Sequence, residues 1–401
     1  MISVLLLVGL AVAVFVGFNI GGSSTGVAFG PAVGSGVLSK LGAAVLMASF
    51  ALLGGWTVGR NVVETMGGQI VPSELFTLGA SVGVLFFVGL ALLVSNLFGV
   101  PASTSMTAVG AIAGLGVAAG DIDWGVMGQI VSWWLVAPIV AFWVCAVIGR
   151  YLYPYLDVWF RIDRSEGPLF EYDRLGSIPY PVPSATTNRR ELVSSVLVVV
   201  IACYMAFSAG ASNVANAVAP LVGSGELEIN QGILLAAGAI ALGAFTIARR
   251  TLDTVGNDLT DLPLLAALIV EVVSASLITF LSYLGIPASL AVSATMCIIG
   301  LGWGRATRAV KVRDAAAAAV RGDGERQRRS DDGESKMSVD ALTAEPEDEV
   351  QKIGEEDPDE LQTKDLFDPA STGRVIMLWI LTPSISAVAS FLLFEFFPIY
   401  R

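Results

Sequence analysis

Apolar residues run along this chain in long blocks, separated by short clusters of Gly, Pro, Ser and charge. Blocks such as Leu75–Leu97, Ile130–Ile148 and Leu264–Leu284 are long enough, at about 18 residues or more, to cross a hydrocarbon layer as helices. The breaks predict ten spans, at 2–20, 41–58, 75–97, 104–120, 128–149, 192–209, 229–248, 264–284, 290–304 and 375–396. Two of these, 104–120 and 290–304, are short for a span, and both follow Pro-Ala-Ser. The pattern predicts an all-α, polytopic protein seated in a lipid bilayer.

The blocks repeat. Pro31-Ala-Val-Gly-Ser-Gly36 recurs as Pro220-Leu-Val-Gly-Ser-Gly225, and Arg60, Glu64, Thr65 and Gly67 recur as Arg249, Asp253, Thr254 and Gly256, each at an offset of 189. Gly99-Val-Pro-Ala-Ser103 recurs as Gly285-Ile-Pro-Ala-Ser289 at an offset of 186. Five predicted helices separate each element from its copy, and an odd number reverses direction across the membrane. Two inverted-topology repeats with broken helices at their interface are expected, an arrangement typical of secondary transporters with a site near the bilayer midplane. The implied division is repeat 1 at 1–150, a connector at 151–191, repeat 2 at 192–304, a charged loop at 305–374 and a final helix at 375–401.

Charge fixes the sides. Residues 305–374 hold 12 of the 23 basic and 18 of the 35 acidic residues, too polar in the middle to fold alone. If sides alternate, one face collects 21 basic residues and the other only Arg60 and Arg401. The positive-inside rule makes the first face cytoplasmic. A multi-pass cell-membrane protein with both termini outside and the 305–374 loop inside is expected. Five Lys among 23 basic residues, against 35 acidic, suggest a halophile. With no His and three scattered Cys, zinc and haem sites are not expected. No nucleic-acid partner is expected either.

Two kinds of segment could carry chemistry. Gly21-Gly-Ser-Ser-Thr-Gly26 and Gly210-Ala-Ser-Asn-Val-Ala-Asn216 read either as unwound polar breaks lining a cavity or as glycine faces for helix packing. Pro101-Ala-Ser-Thr-Ser105 and Pro287-Ala-Ser289 read as helix starts that aim free backbone N–H groups at an anion, with Ser103, Thr104, Ser105 and Ser289 as hydroxyl donors. Ser23, Ser24, Ser212, Asn213 and Asn216 are expected to line the same cavity as weak cation or solute ligands. Glu271 is the ionisable residue well inside a predicted span, either a coupling relay or a structural acid. Glu64 beside Arg60 reads as an ion pair, and Trp133 and Trp134 as interface aromatics.

Together these blocks resemble the inorganic phosphate transporter (PiT) family of cation-coupled anion symporters. That family carries Gly-Ala-Asn-Asp-Val-Ala-Asn-Ala in each half, followed by Ala-Val-Gly-Ser-Gly and Pro-Val-Ser-Thr-Thr-His. Here the copies read Gly210-Ala-Ser-Asn-Val-Ala-Asn-Ala217 and Gly21-Gly-Ser-Ser-Thr-Gly-Val-Ala28. The signature Asp falls on Asn213 and Ser24, so this is a divergent member lacking both carboxylates. The resemblance implies symport of inorganic phosphate, or of sulfate or another oxyanion, without enzymatic chemistry or a cofactor. It implies Na+ or H+ as coupling ion, a weakened Na+ site, and a homodimer. A non-transporting sensor on the same fold is the remaining alternative.

Overall fold

A computed structural model describes residues 3–97, 103–159, 170–175, 178–183, 189–246, 263–309 and 369–400. Its helices are α1 (Val4–Gly34), α2 (Lys40–Thr57), α3 (Gly59–Glu64, running on as a π-turn to Gln69), α4 (Leu78–Leu97), α5 (Thr104–Ala119), α6 (Trp124–Val147) and α7 (Tyr153–Trp159). The second half brings α8 (Arg189–Gly223), α9 (Ile229–Thr246), α10 (Leu264–Tyr283), α11 (Leu290–Ala306) and α12 (Pro369–Phe396). Seven helical stretches among the described residues are long and apolar enough to cross a membrane, and α4, α5 and α11 add shorter apolar ones. The connector contributes an antiparallel hairpin, β1 (Phe170–Leu175) with β2 (Ile178–Pro183), paired from Phe170–Pro183 to Leu175–Ile178. That hairpin is the departure from an all-helical chain among the described residues. Most of the 305–374 loop, together with Arg249, Asp253 and Pro101, lies outside them.

The repeat holds at the level of single hydrogen bonds. At the end of α1, Ser35 N–H donates to Pro31 O, Gly36 N–H to Val33 O and Leu38 N–H to Ala32 O. At the end of α8, Ser224, Gly225 and Leu227 donate to Pro220, Val222 and Leu221 in the same pattern. Gly36 and Gly225 both sit at positive φ, +68° and +75°, a conformation that costs glycine nothing.

The Gly-rich segments do not break their helices, which corrects one of the two expectations for them. α1 runs through Gly21–Gly26 and α8 through Gly210–Asn216 without interruption. The missing side chains let another backbone come close instead. A Cβ on Gly21 would overlap the Ile240 carbonyl of α9, and one on Gly210 the Ala51 carbonyl of α2. Gly54 of α2 meets the Phe207 carbonyl, and Gly243 of α9 meets that of Phe18, the same contact shifted by 189 residues. Small residues at such crossings gain the dispersion contact that substitutes for a hydrophobic driving force in lipid.

These contacts also give direction. Along α1 and α9, Gly17 meets Ala239 and Gly21 meets Ile240, while Gly243 meets Phe18 and Gly22, so the two run parallel. α2 and α8 run parallel by the equivalent contacts. Gly9 of α1 faces Leu221 of α8, whereas Ser23 and Ser24 line one cavity with Asn213, so α1 and α8 run antiparallel. The first helices of the two halves therefore point in opposite directions, as an inverted repeat requires.

The last helices exchange partners. α5 packs along α12, where Gly110 and Gly114 face the Pro383 and Ala387 carbonyls. α11 packs along α6, where Gly300 and Gly304 face the Phe142 and Ala146 carbonyls. α12 is thus the counterpart of α6, and the sequence carries the match: Gly128, Trp134 and Pro138 recur as Gly373, Trp379 and Pro383.

α4 and α5 form an antiparallel pair whose outer ends lie together. Thr77, just before α4, donates its hydroxyl to Ile399 O at 2.7 Å, and Tyr400 donates to Ala118 O near the end of α5 at 3.2 Å. Both ends of the pair thus lie beside the end of α12. α10 and α11 do the same in the second half, with Ala266 and Leu301 packed in one cluster beside Tyr153. A hairpin leaves on the side where it entered, as two crossings would, so the expected sides of the loops are unchanged.

Candidate functional site where two hairpin tips meet

The starts of α5 and α11 come together. A cavity of about 40 Å³ is lined by Ser23, Ser24 and Val27 of α1, Thr104 and Ser105 of α5, Asn213 of α8, and Ser289, Leu290 and Ala291 opening α11. That is space for about three waters or one tetrahedral oxyanion. Ser24 lies ten residues before the end of α1 and Asn213 ten before the end of α8. Since these helices run oppositely, the cavity is about 15 Å from either opposed end, midway through a hydrocarbon core of about 30 Å.

Each tip contributes a helix N-terminus. The first intrahelical bond of α5 is Thr107 N–H to Ser103 O, so the N–H groups of the preceding turn have no intrahelical acceptor. α11 begins alike at Ser293 N–H to Ser289 O, and the Ser289 hydroxyl also accepts from Val292 N–H at 3.4 Å. Each terminus carries about half a positive charge. Two facing one cavity offset about half the charge of a dianion, and none of the described residues that line it is ionisable.

Asn216 sits behind the wall and orients it. Its Nδ2 donates to Ser105 Oγ at 3.2 Å and to Asn213 Oδ1 at 3.1 Å. Ser105 thereby has its own O–H free to point at a solute, and Asn213 is left with its NH2 group as the free end. Both become donors, which favours an anion over a cation. Asn216 Oδ1 and Ser103 Oγ are buried with no hydrogen-bond partner among the described residues.

Six of the nine residues expected at the cavity line it: Ser23, Ser24, Thr104, Ser105, Asn213 and Ser289. Ser103 is fully buried at the N-cap of α5, and Asn216 is one layer back. Ser212 corrects its expectation: it lies one residue, about 100° of helix, from Asn213, and its hydroxyl donates to Ala209 O at 3.4 Å within α8. Glu271 is 3% exposed on α10 and does not line the cavity. Arg60 does not bond Glu64. Its guanidinium donates to Trp56 O and Asn230 Oδ1, each at 2.6 Å, and stacks on the Trp56 ring.

Trp134 was missed as a site residue. Its indole N–H donates to Pro287 O at 2.8 Å, pinning the second hairpin tip to α6 of the other half. Its spacing to Gly128 and Pro138, repeated at Trp379, is the signal that marked it.

A two-fold repeated membrane carrier with paired hairpin tips at mid-depth is the class that fold and site define. Comparison with known proteins agrees. The Phosphate transporter family model (PHO4) matches residues 20–171 and 179–390, and the chain belongs to that family. The sulfate permease CysP of Bacillus subtilis is 29% identical over 291 residues, 72% of this chain and 75% of that one. A relative in Chlamydia trachomatis that carries a phosphate-permease name is 25% identical, covering 75% of this chain and 89% of that one. A solved structure, "The sodium-dependent phosphate transporter", superposes with a TM-score of 0.67 at 17% identity, covering 99% of this chain and 100% of that one, and so shares the fold.

Proposed function

We propose that this chain is a cation-coupled symporter of inorganic phosphate in the cell membrane, working by alternating access of one half against the other. The observation that carries the reading is the meeting of two helix N-termini, one from each half, at a mid-depth cavity whose polar groups are uncharged donors. The anion is held by Thr104 and Ser105, with Ser103 at the same tip and Ser289 opposite; Ser23, Ser24 and Asn213 complete the wall. The chain acts as a carrier and makes no covalent bond to its solute. Both termini lie outside and the 305–374 loop inside, and two copies pair in the membrane.

Sulfate is the second reading, favoured by one feature of the cavity. Phosphate near neutral pH retains a proton to donate, whereas sulfate offers acceptors alone, and the described residues that line the cavity include no carboxylate to receive such a proton. A named sulfate permease among the relatives points the same way. Labelled phosphate and labelled sulfate, each offered to proteoliposomes with a Na+ gradient and with a pH gradient, separate the readings. Saturable, gradient-driven accumulation of phosphate supports symport of phosphate; accumulation of sulfate alone moves the assignment to sulfate. Binding of either without flux identifies a sensor.

A further inference from the structure

Two of the three cysteines meet where the helix of the second tip lies on the other half. Cys145 stands in the last turn of α6 and Cys297 midway along α11, both fully buried in one apolar cluster with Ala141, Tyr153 and Leu301. Both are free thiols, and the Cys297 thiol is hydrogen-bonded to that of Cys145. Cys203 of α8 belongs to a different cluster.

Backbone packing brings the pair together. Gly300 and Gly304 of α11 face the Phe142 and Ala146 carbonyls, and Gly149, just past α6, faces that of Leu301. Residue numbers rise together along both helices, so α6 and α11 run parallel with their backbones in contact. Cys145 lies four residues before Gly149 and Cys297 four before Leu301, so the two face each other one turn earlier. A disulfide needs Cα atoms about 4.4–6.8 Å apart, a spacing that such a glycine crossing allows between facing residues. The other half gives an independent check. The counterparts of Cys145 and Cys297, at offsets of 245 and 186, are Ser390 and Ala111, and Ser390 donates its hydroxyl to Ala111 O at 2.6 Å. The same two positions touch in both halves, and one half carries sulfur at both.

The pair lies well away from the cavity. Cys297 is eight residues, about 12 Å, along α11 from Ser289. Measured from the middle of a core of about 30 Å, that is close to the membrane surface, at the end that carries Arg150 and Arg305. On the orientation proposed above this is the inner face, where thiols are kept reduced.

We propose that Cys145 and Cys297 form a modification site, closed by hydrogen peroxide from the inner face to a disulfide that fastens α11 to α6 and slows transport. Peroxide is uncharged and little larger than water, so it passes where charged thiol reagents do not. It gives one oxygen to one sulfur, leaving a sulfenic acid and one water. The second sulfur then attacks the first: the S–S bond forms, the S–O bond breaks, and hydroxide leaves with the second thiol's proton as another water. The two thiols lose two electrons and the peroxide gains them. α11 opens at the second tip and α6 belongs to the first half, so the bridge ties that tip to the opposite half. The effect on transport rests on the carrier reading above; the bridge itself does not.

The test treats the full chain in proteoliposomes with hydrogen peroxide, then unfolds it in detergent and counts thiols. The wild type should fall from three thiols to one, with Cys145 and Cys297 joined in a single cross-linked peptide by mass spectrometry, and a phosphine reductant should restore all three. Uptake of labelled phosphate or sulfate should fall at least fivefold and recover on reduction. Cys145→Ser with Cys297→Ala installs the pair already present in the other half; it should transport like the untreated wild type and ignore peroxide. Where that double variant does not insert, Cys145→Ser alone serves the same comparison. Three thiols after peroxide, a bridge through Cys203 or between chains, unchanged uptake in the bridged protein, or equal inhibition of the variant overturns the proposal. A reduced wild type that takes up neither oxyanion sinks the carrier reading instead, and the thiol count still decides the bridge.

Discussion

The two hairpin tips are built alike and equipped differently. Each opens a short helix at the same cavity, and each helix packs against the last helix of the opposite half. At the first tip Ser103, Thr104 and Ser105 give three hydroxyls; at the second, Ser289 is followed by Leu290 and Ala291. The Ser289 hydroxyl is also occupied as a helix cap, whereas Ser103 makes no cap bond. Backbone geometry is therefore shared between the halves, while side-chain donors to the solute come mainly from half one. The scaffold can be symmetric because packing needs only glycine and backbone; the chemistry is free to collect on one side.

Breaking the stronger tip should have the largest effect. Thr104→Ala with Ser105→Ala removes two hydroxyls that line the cavity, each worth about 1.5–3 kcal/mol toward a charged solute, and uptake of labelled phosphate or sulfate should vanish. Normal uptake in that double variant would remove the first tip from the site. Next comes Asn216→Asp, which replaces the Nδ2 donor with a carboxylate. Ser105 would then turn its proton away from the cavity, toward a new negative charge beside the anion. A fall in apparent affinity of at least tenfold is expected, with Asn216→Ala milder; the reverse ranking in a KM series would contradict the donor assignment.

The second tip should respond less. Ser289→Ala loses a cap worth about 1 kcal/mol and one donor, so an increase of about fivefold in KM is expected. Trp134→Phe removes the bond to Pro287 O, worth about 1 kcal/mol, and should raise KM by a similar or smaller factor without a new side chain in the cavity. Smallest is a gain: Ala291→Ser should restore a hydroxyl at the weak tip and lower KM about twofold. If it instead raises KM, the second tip is not oriented toward the solute.

Much of the fold was legible because its signals are local. The offset of 189 between Pro31 and Pro220 reappears as identical turn hydrogen bonds, and the short apolar blocks after Pro-Ala-Ser are the returning arms of the hairpins. The Gly-rich segments were ambiguous because an absent Cβ serves equally to bend a backbone or to admit a neighbouring one. Ile240 and Ala51, far away in sequence, decide for the second use at Gly21 and Gly210. Ser212 was misplaced because its neighbours set the expectation, and one step around a helix turns a side chain by about 100°. The kinship of α12 with α6 was hidden by the charged 305–374 segment, which raises the offset from 186 to 245.

The central claim is that solute occupies the cavity between the two tips and is reached from both sides of the membrane. It is tested most directly by Thr104→Cys, since Cys145, Cys203 and Cys297 are all buried and give little background. In reconstituted protein, a small membrane-impermeant thiol reagent should label this position from either face, and saturating phosphate or sulfate should slow labelling at least tenfold. Labelling that neither oxyanion slows, at a rate equal to that of a lipid-facing control, would contradict the account.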